Sequence, residues 1–561
     1  MPDLVALNVV FDAGARERTA VPARAPVRAG VEWLATRPLR QGRTVGLAVL
    51  TVLSLLALWN ASLVVDGTRY FWLDDDQMIS MRYARNLVEG HGLVWNAGEY
   101  VEGYTNFLWT VVMAAAHGLP ISDAHTAVAV KIINWVLACA VLLLSERLLR
   151  FFTAASGLAV GVLVTALAVD LDLVYWSANG YETTLLTATF LLVVVRMLEE
   201  WATGRVAPAT YLLMGLLPLI RSDAYHVWAA ASLLALGIAE DRRRTARLLA
   251  LSLALPLLHL LFRRWYYGDW LPNTYYLKVA DVPGRTRLGL DYLARFARSS
   301  CVPLAAATVG LFTARDRRRW LLAGGLGISG AYVLTVGEDL FPYGRFLAHL
   351  VPVVLVLAVA AVVEATRRRP VAQTVLLFAL LAGVWGLNGV TDPHLLDDEN
   401  AEPQHGVVTG ILINRFTGPD AIIAVVAAGN VSYFGRRTAI DMLGKSDAHI
   451  AHEAAHPGGR VGHNKYDPEY SLGLRPDLVV PFWPHKLVID RWAIEQVART
   501  ADQYIGAVVG SPTFRRDYLP NPIEVPYLLE NNAVYVRTDS PEMARRPLWR
   551  APRIGGGESG R

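Results

Sequence analysis

Three consecutive carboxylates, Asp74, Asp75 and Asp76, head the stretch 71–109, which reads FWLDDDQMISMRYARNLVEGHGLVWNAGEYVEGYTNFLW. A single acid there would be an ordinary helix cap, since it accepts the free N–H groups of the first turn and suits the helix dipole. Three in a row repel one another, and two kinds of chemistry would repay that cost. A carboxylate at a membrane surface can take the proton of a hydroxyl as that hydroxyl attacks a carbon. Carboxylate oxygens also suit a hard divalent cation such as Mg, Mn or Ca, with Asp75 and Asp76 as its ligands, although the pattern demands no cofactor. Arg82 and Arg85 follow, three residues apart and so on one helix face. They can pair with the acids, hold a phosphate, or reach towards lipid headgroups. Glu99, Glu102 and Tyr104 stand next, among Asn106, Phe107 and Trp109. Rings of this kind gather at membrane interfaces, which accounts for the aromatics and leaves Glu102 as a candidate for binding.

Further polar groups interrupt an otherwise apolar chain. Residues 179–182 (NGYE) and 221–223 (RSD) lie at the ends of apolar runs, with Glu182 a candidate ligand and Arg221–Asp223 readable as a local ion pair. Lys131 sits inside an apolar run, costly unless it snorkels or finds a partner. Residues 268–278 (GDWLPNTYYLK) and 337–346 (GEDLFPYGRF) each join acids, proline, aromatics and a base. Lys278 and Arg345 are phosphate-binding candidates, Lys as a point charge and Arg as a fork. Glu338 and Asp339 can orient a substrate or pair with Arg345. Later come DMLGKSDAH (441–449) and GHNKYD (462–467), the second holding His463 and Lys465. The pairs His449/His452 and His456/His463 lack the spacing of a zinc site. No phosphate-binding glycine loop, nucleophile elbow or dinucleotide fingerprint is present.

The elements that must position these groups follow from composition. The chain has 561 residues, 53% hydrophobic, and a mean hydropathy of +0.32, which excludes an ordinary soluble globular protein and fits a polytopic membrane protein. The net charge of +4 points to no nucleic acid. Cys139 and Cys301 lie in apolar stretches, so no disulfide framework is expected. Residues 1–43 carry seven arginines and little periodicity, and read as a disordered cytoplasmic tail with no cleavable leader. Apolar runs follow at 44–66, 125–145, 156–175, 183–198, 207–220, 224–239, 248–264, 301–314, 320–336, 349–364 and 371–390. The run 106–118 is short of the roughly 20 residues a span needs. Arginine clusters at 147/150, 196/205, 242–247, 315–319 and 367–369 should all be cytoplasmic. Eleven spans satisfy every cluster, with 106–118 in the outer interface, the amphipathic 78–87 lying on the bilayer, the N-terminus inside and the C-terminus outside. The loops 67–124, 176–182, 221–223, 265–300, 337–348 and 391–561 then share the outer face. After residue 390 the pattern changes to a compact α/β domain: 421–428, 477–480 and 531–537 read as strands and 491–503 as a helix. The expected organisation is therefore a tail (1–43), a transmembrane region (44–390) and an extracytoplasmic domain (391–561), with no internal repeat.

At the first-loop residues the chain resembles the membrane-embedded glycosyltransferases of the C-type fold, which use polyprenyl-phosphate sugars. DDQMISMRYARNLVEGHGLVWNAGEYVEGYTNFLW (75–109) is similar to the first outer loop of the bacterial branch that includes the mycobacterial terminal β-(1→2) arabinofuranosyltransferase. GEDLFPYGRFLAHLVP and IDMLGKSDAHIAH…GHNKYD resemble later signatures of that branch, so the likeness covers roughly residues 45–480. It implies an essential first-loop carboxylate and a horizontal helix pair before the second span. Its acidic pair falls on Asp75 and Asp76, with Asp75 preferred as the catalytic group and Asp74 an extra. Where the family's later loop usually reads Gly-Gly-Asp, this chain has Gly337-Glu338-Asp339. On the residues themselves, the donor phosphate is expected at Lys278, Arg345, Arg82 and Arg85, and acceptor binding at Asp74, Glu102, Tyr104, Glu182, Asp339, His463 and Lys465.

The reading that results is a multi-pass glycosyltransferase of a bacterial cytoplasmic membrane. It takes a sugar, D-arabinofuranose first and a hexose or aminoarabinose next, from a polyprenyl-phosphate donor in the bilayer to an extracytoplasmic glycan or glycoprotein. A transporter or flippase of lipid-linked saccharides is the alternative from another class; it would place ionisable groups near the bilayer midplane, often with repeats. A non-catalytic glycan-binding protein is a third, against which the intact acidic cluster stands.

Overall fold

In a computed structural model, residues 37–280, 284–339, 341, 343–391, 401–480, 503–523 and 532–548 are described. The expected helix 491–503 and nearly all of the N-terminal tail lie outside the described residues. Ten of the eleven apolar runs fall on helices or bent helix pairs, whereas the first, 44–66, is helical only to Asn60 and ends in a β-hairpin. Among the described residues six helices are long and apolar enough to cross a membrane, or eight if each bent pair counts as one span. The pairs are Gly157–Val169 with Leu171–Ala178, bent by 56°, and Arg285–Ser299 with Cys301–Ala314, bent by 84°. Three shorter apolar helices include Phe107–His117. The chain is thus a polytopic α-helical membrane protein. At its centre stands Val351–Ala365, apolar on every face up to Glu364 in its last turn, with 12 of its residues buried. A helix apolar all round belongs inside a bundle, and this one supplies much of the largest apolar core.

The loop after the first long helix opens with a hairpin, β1 (Ser62–Val65) against β2 (Thr68–Phe71). Its turn residues Asp66 and Gly67 both have positive φ, 47° and 80°, the backbone that a two-residue hairpin turn needs and that Asp-Gly supplies. The helix Asp75–Val88 comes next, and every residue from Gln77 to Asn86 is buried. The expectation that this stretch lies on the bilayer therefore fails. Its polar face is covered by the C-terminal part of the chain, whose carbonyls take its guanidinium groups.

That C-terminal part is built on a mixed five-stranded sheet in the order β4-β3-β5-β7-β6. The strands are β3 (Ile422–Val425), β4 (Thr438–Asp441), β5 (Leu478–Val480), β6 (Tyr518–Ile523) and β7 (Asn532–Arg537). β4 and β5 run parallel to β3, while β7 is antiparallel to both β5 and β6. β3, β5 and β7 coincide with the apolar runs that announced them. β6 reads YLPNPI, and two prolines argue against a strand unless it lies at an edge, which is where it lies. Alternation along the strands sends side chains to two cores. Ile423, Val425, Leu478, Val480, Val534 and Val536 meet the helix Ala401–Phe416 and the first-loop residues Ile79, Tyr83 and Trp95. Ala424, Val479 and Tyr535 meet Tyr504, Val508 and Phe514 on the other side. One face of the sheet is therefore closed by the loop that carries the three acids.

Candidate active site

The helix Asp75–Val88 aims its three N-terminal acids in three directions. Asp74 is its N-cap, accepting from the Asp76 N–H at 3.2 Å, and it also accepts the Tyr181 hydroxyl at 2.7 Å. Burial, with Asp76 adding to it, pushes its carboxyl up to about 6. Asp75 accepts the backbone N–H of Asn430 at 2.7 Å and of Gly429 at 3.1 Å. Burial pushes its carboxyl up, against the pull of Lys445 and the Asn430 amide. Only glycine fits at 429, because a Cβ there would lie 1.9 Å from the Asp75 carbonyl oxygen. Asp76 turns to open space. Its Oδ1 lies 2.6 Å from Lys445 Nζ and its Oδ2 3.9 Å from Lys278 Nζ. Burial alone would raise it, but Lys445, then Lys278 and more distantly Arg345, hold its carboxyl well below the usual range.

The space that Asp76 faces is a cavity of about 550 Å³. Its walls draw on all six stretches expected on one face. Asp76 to Asn106 come from the first loop, Glu182 and Arg221–Asp223 from helix ends, Leu271 to Val279 and Glu338 to Phe346 from later loops, and Lys445 from the turn after β4. Apolar wall is supplied by Ile79, Leu260, Val279 and Val336, and rings by Tyr104, Tyr225, Tyr275 and Tyr332. Arg345 pairs with Asp339 at 2.6 Å and stacks over the rings of Phe341, Trp176 and Tyr181 at 5.2–5.9 Å. Arg221 pairs bidentately with Asp223, at 2.9 and 2.7 Å, and reaches Glu182 at 3.0 Å. Burial weighs against both charges of the Arg221–Asp223 pair, yet each partner offsets it, raising the arginine and lowering the aspartate. An ionised carboxylate in the wall of this cavity, with Lys445 at 2.6 Å, Lys278 at 3.9 Å and Arg345 farther off, can accept a proton from a hydroxyl and leave the cations for an anionic leaving group.

The residues named from the sequence separate into two groups. Asp76, Tyr104, Glu182, Lys278, Asp339 and Arg345 line the cavity, whereas Asp74, Asp75, Arg82, Arg85, Glu102, His463 and Lys465 do not. Arg82, expected to hold a phosphate, is buried and donates to the carbonyls of Trp95, Ser432 and Arg437 and to Asn96 Oδ1, all at 2.7–2.8 Å. Arg85 donates to the Tyr433 carbonyl at 2.6 Å. Both therefore fasten the first loop to the C-terminal sheet, since four of the five N–H groups of Arg82 are committed to protein. Glu102 is buried against Arg263, and burial pushes its carboxyl up to about 7 against that arginine's pull. Lys465 donates to the carbonyls of Tyr276 and Ala451, at 2.9 and 3.1 Å, steadying the element that carries Lys278. His463 lies beside both lysines, where burial first, then Lys445 and Lys278, pushes its imidazole down to about 3, so it stays neutral. Lys445 was not singled out from the sequence. Its signals were its place in the polar stretch 441–449, within a motif that resembles a family signature, and the scarcity of lysine in a chain with five.

For a divalent ion on Asp75 and Asp76 the donor set does not fit. Both oxygens of Asp75 hold backbone N–H groups, and Lys445 stands where an ion on Asp76 would stand. Among the described residues, the metal-type side chains that converge are His449, Glu453 and Asp467, partly or fully exposed.

The chain is similar to two curated proteins named terminal β-(1→2)-arabinofuranosyltransferase. That of Mycobacterium tuberculosis is 28% identical over 270 residues, which cover 44% of this chain and 42% of that protein. That of Corynebacterium glutamicum is 28% identical over 261 residues, covering 42% and 36%. The chain thus matches less than half the length of these relatives. Among solved structures, ArnT from Cupriavidus metallidurans bound to undecaprenyl phosphate superposes with a TM-score of 0.55 at 11% identity, over 91% of this chain and 99% of that one. The Archaeoglobus fulgidus oligosaccharyltransferase gives 0.52 at 10% identity, over 91% and 75%. Residues 387–519 match a family model described as a domain of unknown function (DUF8728). The expected resemblance is thus met: the fold is the C-type fold of membrane glycosyltransferases.

Proposed function

We propose that this protein transfers a sugar from a polyprenyl-phosphate donor to a hydroxyl of an extracytoplasmic glycan or glycoprotein, with D-arabinofuranose as the first sugar to test. The observation that carries the reading is the placing of Asp76, alone among the three acids on the cavity wall, between Lys445 and Lys278. Asp76, rather than Asp75, is the base. The acceptor hydroxyl oxygen attacks the anomeric carbon, the bond from that carbon to the phosphate oxygen breaks, and the hydroxyl proton passes to Asp76. Polyprenyl phosphate leaves with the bonding pair, and Lys278, Lys445 and Arg345 stabilise its charge. The lysines keep Asp76 ionised in the resting state. When they turn to the phosphate, its affinity for a proton rises, which is when a base needs it. The apolar wall at Leu260, Val279 and Val336 receives the first isoprenoid units.

The chain crosses the membrane eleven times with its N-terminus cytoplasmic, so that the arginine clusters face inward. The cavity and residues 391–561 then lie outside, and the convergence of all six outer stretches on one cavity supports this arrangement. The sugar rests on the names of the partial relatives. The test is transfer by purified protein from synthetic polyprenyl-phosphoryl arabinofuranose. Asp76→Asn should lower the rate by about 10²–10⁴, while Asp75→Asn should keep measurable transfer in a protein of lower melting temperature. The opposite order of the two variants would remove Asp76 from the base's role, and wild-type transfer of another sugar alone would remove arabinose.

A further inference from the structure

Behind the catalytic cavity lies a second one, of about 300 Å³, between the first outer loop and the edge strand β4 of the C-terminal sheet. The two back onto each other across a single turn. Asp441 closes that turn by accepting the backbone N–H of Ser446 at 2.7 Å and of Leu443 at 3.1 Å. Lys445 leaves it towards Asp76, while Asp441, Ser446 and Asp447 line the second cavity. The partition is thin, since a Cβ on Gly103, which lines the first cavity, would lie 2.4 Å from Ser446 Oγ.

We infer that this second cavity is a subsite for a neutral, hydroxyl-rich saccharide, a non-reacting part of the acceptor glycan. The inference rests on the reading of the protein as a glycosyltransferase. Three carboxylates, of Glu99, Asp441 and Asp447, line the space with the rings of Trp95 and Tyr470, and among the described residues no lysine or arginine lines it. Such a wall rejects a phosphate and so excludes the donor's charged end. It suits a sugar, whose hydroxyls donate to carboxylates in short charge-assisted bonds and whose apolar edges lie against rings. Both rings are preset. The Arg82 guanidinium lies 4.6 Å over Trp95, and Tyr470 is stacked on His449 at 4.0 Å with its hydroxyl 3.2 Å from Asp447 Oδ2. Trp95 is 2% exposed and its Nε1–H has no acceptor among the described residues, a lone donor that a buried indole ordinarily does not keep. Glu99 and Thr438 are exposed at the rim, which leaves a way in from outside.

The test uses the full-length protein in detergent and, as probe, a synthetic arabinofuranose oligosaccharide free of lipid and phosphate, with binding followed by saturation-transfer NMR and calorimetry. Glu99→Lys and Thr438→Trp change exposed positions and should fold. Each should weaken binding about tenfold or more, the loss of one charge-assisted contact or of access. Asp76→Asn should leave oligosaccharide binding within about twofold. Binding that Asp76→Asn removes and the rim variants do not would place the saccharide in the catalytic cavity and overturn the inference. Binding of Ca alone at the acids would overturn it too, as would unchanged binding in both rim variants. A wild type that transfers no sugar but binds the oligosaccharide at the rim would refute the enzyme reading and leave the subsite standing.

Discussion

Replacing Lys445 with methionine removes the ammonium that lies 2.6 Å from Asp76 while keeping most of the side chain's bulk. Lys278, at 3.9 Å, remains as a weaker partner. An opposite charge at this range lowers a carboxyl by about 1–3 pKa units, each worth about 1.4 kcal/mol. With Lys278 still present, Asp76 should rise by about 1–2 units, and the protein should lose about 1–3 kcal/mol of stability. The sign follows from the two groups. Asp76 is held below its unfolded value, so its stabilising contribution is complete above about pH 4 and is lost as the pH falls towards the folded value. Burial pulls the Lys445 ammonium down, but Asp76 and then Asp75 more than offset it and raise it. Its contribution is complete below about pH 10 and is lost as the pH rises through the folded value. Wild type and Lys445→Met should therefore differ most between about pH 5 and pH 10 and converge at both extremes. In donor turnover, KM for the lipid donor should rise, and the acid limb of kcat/KM should move up by the same 1–2 units, because the base must be unprotonated. The two measurements are denaturant unfolding of the purified protein and donor consumption, each across pH. A folded Lys445→Met protein with an unmoved acid limb and an unchanged donor KM would refute the coupling of Lys445 to Asp76.

Gly429→Ala forces a Cβ to within 1.9 Å of the Asp75 carbonyl. It should open the seam between the first loop and the sheet at a cost of about 1–3 kcal/mol, visible as a lower melting temperature. Arg263→Ala leaves Glu102 buried without its partner, and should cost about 3–5 kcal/mol, most of it recovered in the double variant Glu102→Gln/Arg263→Ala. Because Lys445 fills the position of an ion on Asp76, sugar transfer should be unchanged by EDTA; loss of transfer with EDTA and rescue by Mg would show that the lysine gives way to a metal. Arg82→Lys should lower stability through lost carbonyl contacts while the donor KM stays within about twofold. A large rise in that KM would return Arg82 to phosphate binding.

Much of this architecture is written in local pattern. Length of apolar run places the candidate membrane helices, because a helix facing lipid or a packed core must be apolar, as Val351–Ala365 is up to Glu364 in its last turn. Apolar strands such as Ile422–Val425 and Leu478–Val480 declare themselves by the same rule. The hairpin at 62–71 is marked by its Asp66–Gly67 turn but masked by the apolar residues 62–65, which extend the preceding run. β6 was hidden by two prolines that only its edge position tolerates. The chemistry-bearing stretch 71–109 was likewise plain, since three adjacent acids and two arginines carry a cost that something must offset.

Local pattern does not say where each of those charges goes. Asp74, Asp75 and Asp76 are adjacent in the chain and, about 100° apart around a helix end, reach a tyrosine, a pair of backbone amides and an open cavity. The lysine that selects among them is 369 residues away, and the carbonyls that take Arg82 from phosphate binding are 350 and 355 residues away. An ion pair depends on a distance of a few ångströms and carries no periodicity along the chain. Composition and spacing thus determined that this is a membrane protein with a charged site on one face, and the packing of the C-terminal sheet onto the first loop decided which charges meet there.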